Sequence, residues 1–256
     1  MSNEWAEQRM RTVLVTGGGR GIGAACSLLC ARQGWAVAVN YAHDAGAAKR
    51  VVAQIRAEGG TALEVHADVA DEAQVLAMFA TVERELPRLG GLINNAGVVD
   101  VASRVDAMSL QRLQRMFAIN VFGSFMCARE AVKRMSTLHG GQGGAIVNVS
   151  SVAARLGSPG MYVDYAAAKA AIDTFTLGLA REVAAEGVRV NAVRPGIIET
   201  EIHASGGQAD RVRQIVPQLP MQRVGSANEV AQAIAWLLSD VASYVTGAIV
   251  DVSGGR

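Results

Sequence analysis

Only three cysteines occur in 256 residues, at positions 26, 30 and 127. None forms a Cys-x-x-Cys pair, which excludes a disulfide framework and a thiol redox motif. Cys26 and Cys30 share a helical face, but no histidine or carboxylate stands at ligand spacing beside them. They are expected to be buried thiols, and no metal site is expected. Long hydrophobic runs are missing too: none approaches the ~20 residues that span a bilayer, and the N-terminal MSNEWAEQRMR carries no secretory apolar stretch. A soluble, cytoplasmic protein is the expectation. Charge of one sign is also lacking. The formal net charge is +1 at pH 7, with acids and bases interspersed, so no field favours nucleic acid or an anionic membrane. The expected partner is a small molecule.

Half of the residues are apolar, ample for a sizeable core, and there is no Pro/Ser-rich linker or internal repeat. One domain over 1–256 accounts for the chain. Short runs rich in valine and isoleucine alternate with helix-length segments: 13–16, 36–40, 62–67, 91–95, 145–149, 188–193 and 248–252. Such βαβ order, with strands apolar on both faces, predicts a single α/β domain of Rossmann type: a doubly wound parallel sheet of about seven strands covered by helices on both faces. The glycine-rich 139–144 reads as a loop before the fifth strand. The long irregular stretch at about 200–226 follows the sixth strand. Loops at the carboxyl ends of parallel strands form the ligand crevice, so this stretch is the candidate substrate lid.

The first strand runs into Thr16, Gly17, Gly18, Gly19, Arg20, Gly21, Ile22, Gly23 and then an Ala/Leu/Cys helix. Glycines there let the backbone approach a pyrophosphate, and the helix start supplies free amides and a favourable dipole. The spacing is Thr-Gly-x-x-x-Gly-x-Gly, not the commoner Gly-x-Gly-x-x-Gly, because Ile22 stands where its last glycine would be. In this form, with a strand before and a helix after, it resembles the short-chain dehydrogenase/reductase family. Where NAD-binding Rossmann proteins usually carry Asp or Glu, the second strand ends in Asn40 and Tyr41. Asparagine tolerates a 2′-phosphate that a carboxylate repels. Arg20 is a basic residue of the kind that NADP-preferring family members carry in this loop. Together these favour NADP, assisted by His43 or by Arg20 alone, while NAD held through the polar groups of Asn40 and Tyr41 is the alternative. The resemblance also implies that Asp68 and Val69 meet the adenine and that Asn94, Asn95, Ala96 and Gly97 lie beside the cofactor. The same turn would also serve a purely structural purpose.

Downstream, Tyr165 and Lys169 stand four apart in an Ala-rich helical segment and share a face. A free tyrosine ionises near ~10, and a neighbouring ammonium stabilises the phenolate. The pair follows a fifth strand ending Asn148, Val149, Ser150, Ser151, an order that resembles the family's Ser, Tyr, Lys arrangement. By that resemblance Tyr165 exchanges the proton with the substrate oxygen, Ser151 orients that oxygen, and Lys169 holds the cofactor ribose and depresses the tyrosine pKa. Asn120 matches the asparagine that orders a water chain to the lysine, and a capping or kink-stabilising amide is its other reading. Ser151 precedes Tyr165 by one residue more than is usual in the family, which the loop at 157–164 can absorb, and Ser150 is the fallback. After the sixth strand, Pro195, Gly196, Ile198 and Thr200 resemble the segment that holds the nicotinamide carboxamide.

The implied reaction moves a hydride between the nicotinamide and a small carbonyl or alcohol substrate, with Tyr165 as proton donor and acceptor. An NAD-dependent alcohol or sugar dehydrogenase is the alternative, and a non-catalytic dinucleotide sensor is disfavoured because the whole catalytic set is present. Subgroup resemblance extends to glucose dehydrogenases and 3-oxoacyl reductases. Ala166, Ala167, Ala168, Ala170 and Ala171 allow close helix packing, and the resemblance implies a homotetramer or homodimer.

Overall fold

The computed structural model describes residues 10–199 and 216–256. The N-terminal segment, Thr200 and the lid residues up to Ile215 lie outside the described residues. The first half alternates regularly: β1 Thr12–Val15, α1 Gly21–Arg32, β2 Ala36–Tyr41, α2 Ala45–Ala57, β3 Ala62–His66, α3 Glu72–Glu85 and β4 Leu89–Asn94. A long helical run follows, composed of α4 Leu110–Phe117, a π-helical turn at Ala118–Phe122 and α5 Gly123–Met135. The second half contains β5 Gly144–Val149, the short α6 Ala153–Leu156, α7 Val163–Val183, β6 Val188–Pro195, β7 Ile198–Glu199, β8 Gly225–Ser226, α8 Ala227–Leu238 and β9 Ile249–Val252.

All seven expected strands are present, and they form one sheet in the order β3-β2-β1-β4-β5-β6-β9 with every pairing parallel. Burial explains their composition. Val13, Val15, Val37 and Val39 pack with Cys26 and Cys30 of α1, Val52 and Ile55 of α2 and Ile234 of α8. The alternate residues Leu14 and Ala38 pack on the other face with Phe79 of α3, Cys127 and Ala131 of α5 and Val183 of α7. Both faces are therefore covered, which a run of uninterrupted apolar residues requires. The cysteines are buried thiols, as their sequence setting indicates, with Cys30 and Cys127 each pushed up to about 12 by burial.

The chain reverses direction across the sheet between β1 and β4, and that switch point opens a crevice at the carboxyl ends of the strands. The return leg of the expected lid is more regular than its composition suggests. Val216–Gln218 form a single 3-10 turn, and Gly225–Ser226 pair in parallel with β7. Ser226 then caps α8 in a reciprocal box with Glu229, so the leg ends as the start of a helix. Among the described residues no helix is long and apolar enough to cross a membrane.

Candidate active site

Helix starts distinguish the crevice. Asp44, Asp71, Ser109 and Ser226 cap α2, α3, α4 and α8 with side-chain oxygens. α1, α6 and α7 start without a side-chain cap, and at α1, whose N-cap is Arg20, no acidic residue occupies the first turn. The free amides of a helix start are thus left for an external anion. The loop before it is built for close approach. Gly21 has φ +50°, a left-handed conformation that an L side chain adopts at a cost. A Cβ on Gly23 would collide with the carbonyl of Gly17 and lie 2.6 Å from Asn95 Nδ2. Ile22 packs its side chain against the core, leaving its backbone at the loop. Gly19 lies against Ala48 of α2, 3.0 Å from that residue's amide once a Cβ is placed. The cradle fits a dinucleotide pyrophosphate, and Arg20 is exposed at its rim.

Asn40 requires a correction. Its side chain is turned into the protein and fully engaged: Nδ2 donates to the carbonyls of Ala67 (2.9 Å) and Val65 (3.3 Å), while Oδ1 accepts from the Gly17 amide at 3.2 Å. Its carbonyl accepts from the Gly18 amide at 2.9 Å. Asn40 ties the phosphate loop to β2 and β3, and it has no donor left for a ribose phosphate. Successive strand residues point to opposite faces, so Tyr41 turns the other way and sits half-buried, its ring 5.4 Å from that of His66. Asp68 is half-buried beyond β3, where its Oδ1 accepts from the Ala70 amide at 2.9 Å, and Val69 is buried against Gly123.

The loop after β4 is stapled to the phosphate loop. Asn95 donates from Nδ2 to the carbonyls of Thr16 (2.9 Å) and Gly17 (3.1 Å), and the Thr16 hydroxyl accepts from the amides of Asn95 and Ala96. Asn94 donates to Asn148 Oδ1 at 2.9 Å and to the Ser124 carbonyl at 3.1 Å, and Asn148 donates to Thr176. This amide chain fixes β4, β5, α5 and α7 to one another beneath the crevice. Gly97 is wedged between two site residues, since a Cβ there would lie 2.7 Å from Asn120 Oδ1 and 3.5 Å from Lys169 Nζ.

Asn120 is fully buried in the π-helical turn. Its Nδ2 donates to the carbonyls of Val98 and Met116, both at 3.0 Å, and Oδ1 accepts from the Val98 amide at 3.2 Å. The amide thus ties the π-helical turn to the β4 loop, in keeping with the structural alternative its sequence position allowed.

Ser150 and Ser151 separate clearly. Ser150 is buried, and its hydroxyl donates to the Lys169 carbonyl at 3.1 Å. Ser151 is half-exposed, accepts from the Ala153 amide at 3.1 Å and lies within hydrogen-bonding reach of the Tyr165 hydroxyl. The intervening loop turns through left-handed Gly157, Ser158 and Gly160. Burial raises the Tyr165 pKa, and the Ser151 hydrogen bond draws it partly back. The expected depression by Lys169 is not what the structure shows. Nζ lies 5.6 Å from the centre of the tyrosine ring and donates to the Val149 carbonyl at 2.8 Å, and burial brings the lysine itself down to about 8.

Across the crevice, Pro195 accepts from the Val152 amide and Gly196 donates to the Val252 carbonyl. Ile198 is buried in the core, with β7 presenting its backbone. Two groups of side chains escaped the sequence reading. Arg112 of α4 pairs with Asp164, the residue before Tyr165, at 2.8 Å, with both side chains nearly inaccessible. Asp173, one turn after Lys169, pairs with Arg194 at 2.8 Å. The second carried a local signal, because Asp173 stands at the helical spacing i+4 from Lys169.

A glycine cradle at an uncapped helix start, set beside a Ser/Tyr/Lys cluster on a doubly wound sheet, defines a nucleotide-dependent oxidoreductase, and the chain belongs to the short-chain dehydrogenase/reductase family. The family model described as enoyl-(acyl carrier protein) reductase matches residues 17–256. The uncharacterized oxidoreductase YgfF of Escherichia coli is 56% identical over 247 residues, covering 96% of this chain and 100% of that protein. A 3-oxoacyl-[acyl-carrier-protein] reductase of Staphylococcus aureus is 37% identical, covering 96% and 97% of the two chains. Among solved structures, a blue fluorescent protein from a metagenomic library, in complex with NADPH, superposes with TM-score 0.88 at 32% identity, covering 96% of this chain and 97% of that one.

Proposed function

We propose that the protein is an NADP-preferring reductase of small carbonyl compounds, with Tyr165 as the proton donor. The observation that carries this reading is the meeting of Ser151, Tyr165 and Lys169 at the carboxyl edge of β5, beside the uncapped start of α1. NADPH, when bound, supplies the hydride. Ser151 and Tyr165 donate hydrogen bonds to the carbonyl oxygen, and Tyr165 passes its proton to that oxygen as it becomes an alcohol. Burial keeps Tyr165 protonated, the form that donates to the substrate oxygen. Lys169 holds the ribose hydroxyls, and Asn120 keeps the π-helical turn and Gly97 in place beside it. The loop amides, Arg20 and the Pro195–Ile198 backbone would hold the pyrophosphate, the ribose phosphate and the carboxamide of a bound NADPH.

NADP preference is supported by Arg20 at the rim and by the lack of a carboxylate at Asn40 and Tyr41, and by the NADPH bound to the metagenomic relative. Exposed Phe122 of the π-helical turn, Phe125 of α5 and Leu177 of α7, and Trp236, Val241 and Tyr244 at the far edge, support a homotetramer with two kinds of contact. The test is fluorescence titration with NADPH and NADH, followed by an NADPH-coupled screen of aldehydes and ketones, on wild type, Tyr165→Phe and Tyr41→Asp. Tyr165→Phe should bind NADPH normally and turn over 10²–10⁴-fold more slowly, the range for a lost general acid. Tyr41→Asp should weaken NADPH selectively. Tighter NADH than NADPH binding by wild type refutes the NADP assignment and directs the search to alcohol and sugar oxidation.

A further inference from the structure

The family's Ser/Tyr/Lys set does not account for the charged groups behind the lysine. Asp173 is buried on α7, one turn beyond Lys169 and on the same face. Its Oδ2 accepts from Arg194 Nε at 2.9 Å and Nη2 at 2.8 Å, while Oδ1 is buried with no hydrogen-bond partner. Arg194 lies on β6 directly before Pro195. Its Nη1 reaches Asp251 of β9 at 3.6 Å, and the other Asp251 oxygen pairs with Arg155 of α6 at 3.0 Å. Arg155 also donates to the Arg256 carbonyl at 3.0 Å. The chain of charges thus joins the tyrosine helix, the Pro195–Gly196 turn and the helix after Ser151, the three pieces that surround the nicotinamide end of the proposed site.

A buried carboxylate with one oxygen unpaired is costly, and a core needing only cohesion would be served as well by apolar residues. The carboxylate has an electrostatic use here. On its own helix Lys169 faces Tyr165 and Asp173. From β5 it meets the Val149 carbonyl, with Ser150 and Ser151 adjoining, and from the β4 loop it meets Gly97, which separates it from Asn120, none of them ionised. β6 contributes Arg194, whose guanidinium is already engaged with Asp173.

We propose that Asp173 is a positioning residue for Lys169: its carboxylate, fixed by Arg194 one helical turn away, holds the lysine as an ammonium at the ribose edge of the site. Burial lowers the Lys169 pKa to about 8, and the charge of Asp173 is what opposes that fall. The ribose-holding part of this inference rests on the function proposed above, whereas the electrostatic part does not.

The chain contains only three lysines, and Lys49 and Lys133 are exposed, so lysine labelled with carbon-13 at Cε gives three signals of which Lys169 is the displaced one. In the cofactor-free wild type the Lys169 signal should titrate at about 8. In Asp173→Asn it should titrate at lower pH, and Asp173→Glu should restore much of the difference. A merely structural loosening would hydrate the lysine and move it the other way, so an unmoved or raised inflection overturns the proposal. Should Asp173→Asn fail to fold, the double variant Asp173→Asn/Arg194→Gln removes both charges of the pair and leaves neither stranded. Its Lys169 inflection should still lie below wild type, and equality with wild type overturns the proposal. Titration with NADPH separates the two readings. A lysine that responds as expected in a protein binding neither NADPH nor NADH sustains the electrostatics and refutes the function.

Discussion

Substituting Asn40 by aspartate distinguishes a locked structural amide from a cofactor-selecting one. The side chain now donates to the carbonyls of Ala67 and Val65 and accepts from the Gly17 amide. Asn40→Asp keeps the acceptor and removes both donations, setting a carboxylate against two buried carbonyl oxygens. A buried group left without its partner costs ~1–3 kcal/mol, so two of them cost roughly 2–6 kcal/mol. At ~2–4 °C per kcal/mol for a domain near this size, the melting temperature should fall by roughly 10 °C. The cost also depends on pH. Protonation restores one donor, so the new carboxyl has a higher pKa folded than unfolded. The stability it retains is full below the unfolded pKa and is lost as pH rises through the folded one, so the deficit should be larger at pH 8 than at pH 5. The assay is thermal unfolding by circular dichroism at fixed protein concentration, since oligomer stability depends on it. A change within about 0.5 kcal/mol, the usual range for a harmless surface change, would refute the locked-amide account. Inverted NADPH preference at unchanged stability would return Asn40 to the cofactor.

Two further outcomes are expected. If Lys169 holds the ribose as an ammonium, NADPH affinity should be steady at neutral pH and weaken as pH rises through about 8, which calorimetric titration across that range would measure. Arg112→Ala strands the inaccessible carboxylate of Asp164, and breaking such a pair costs ~3–5 kcal/mol. Urea denaturation would show whether the loss is that large or whether the pair contributes no more than an exposed one.

The fold was legible because a sheet covered on both faces leaves uninterrupted valine and isoleucine runs, and all seven strands were found from these. The same burial hid the orientation of Asn40. Where both faces are covered, alternation carries no inside and outside, so residue type alone could not show that its amide points to Ala67 and away from the crevice. Ser151, Tyr165 and Lys169 were readable because they lie on one strand end and the helix after it. Ser151 was assigned from the sequence with Ser150 as the fallback, and the structure adds that Ser150 is bonded to the Lys169 carbonyl. The ion pairs of Arg112 with Asp164 and Arg194 with Asp173 join residues 52 and 21 positions apart, so local pattern showed at most the spacing of Asp173 from Lys169 and neither arginine partner. The depression of Tyr165 by lysine was inferred from proximity in sequence, whereas burial raises the tyrosine and what opposes the rise is the Ser151 hydrogen bond.

The π-helical turn at Ala118–Phe122 acts as a phase shifter. One surplus residue in a helix of 3.6 residues per turn rotates everything after it by about 100°. Upstream, α4 directs Arg112 toward Asp164 beside the tyrosine, and downstream, α5 directs Cys127, Ala131 and Met135 into the sheet. Deleting a single residue from this turn would leave a smoother helix whose two halves no longer face their separate partners. A loss-of-function deletion there would thus look harmless by hydropathy, length or helix propensity, and insertions elsewhere along α4 and α5 should be tolerated only in steps that restore the phase.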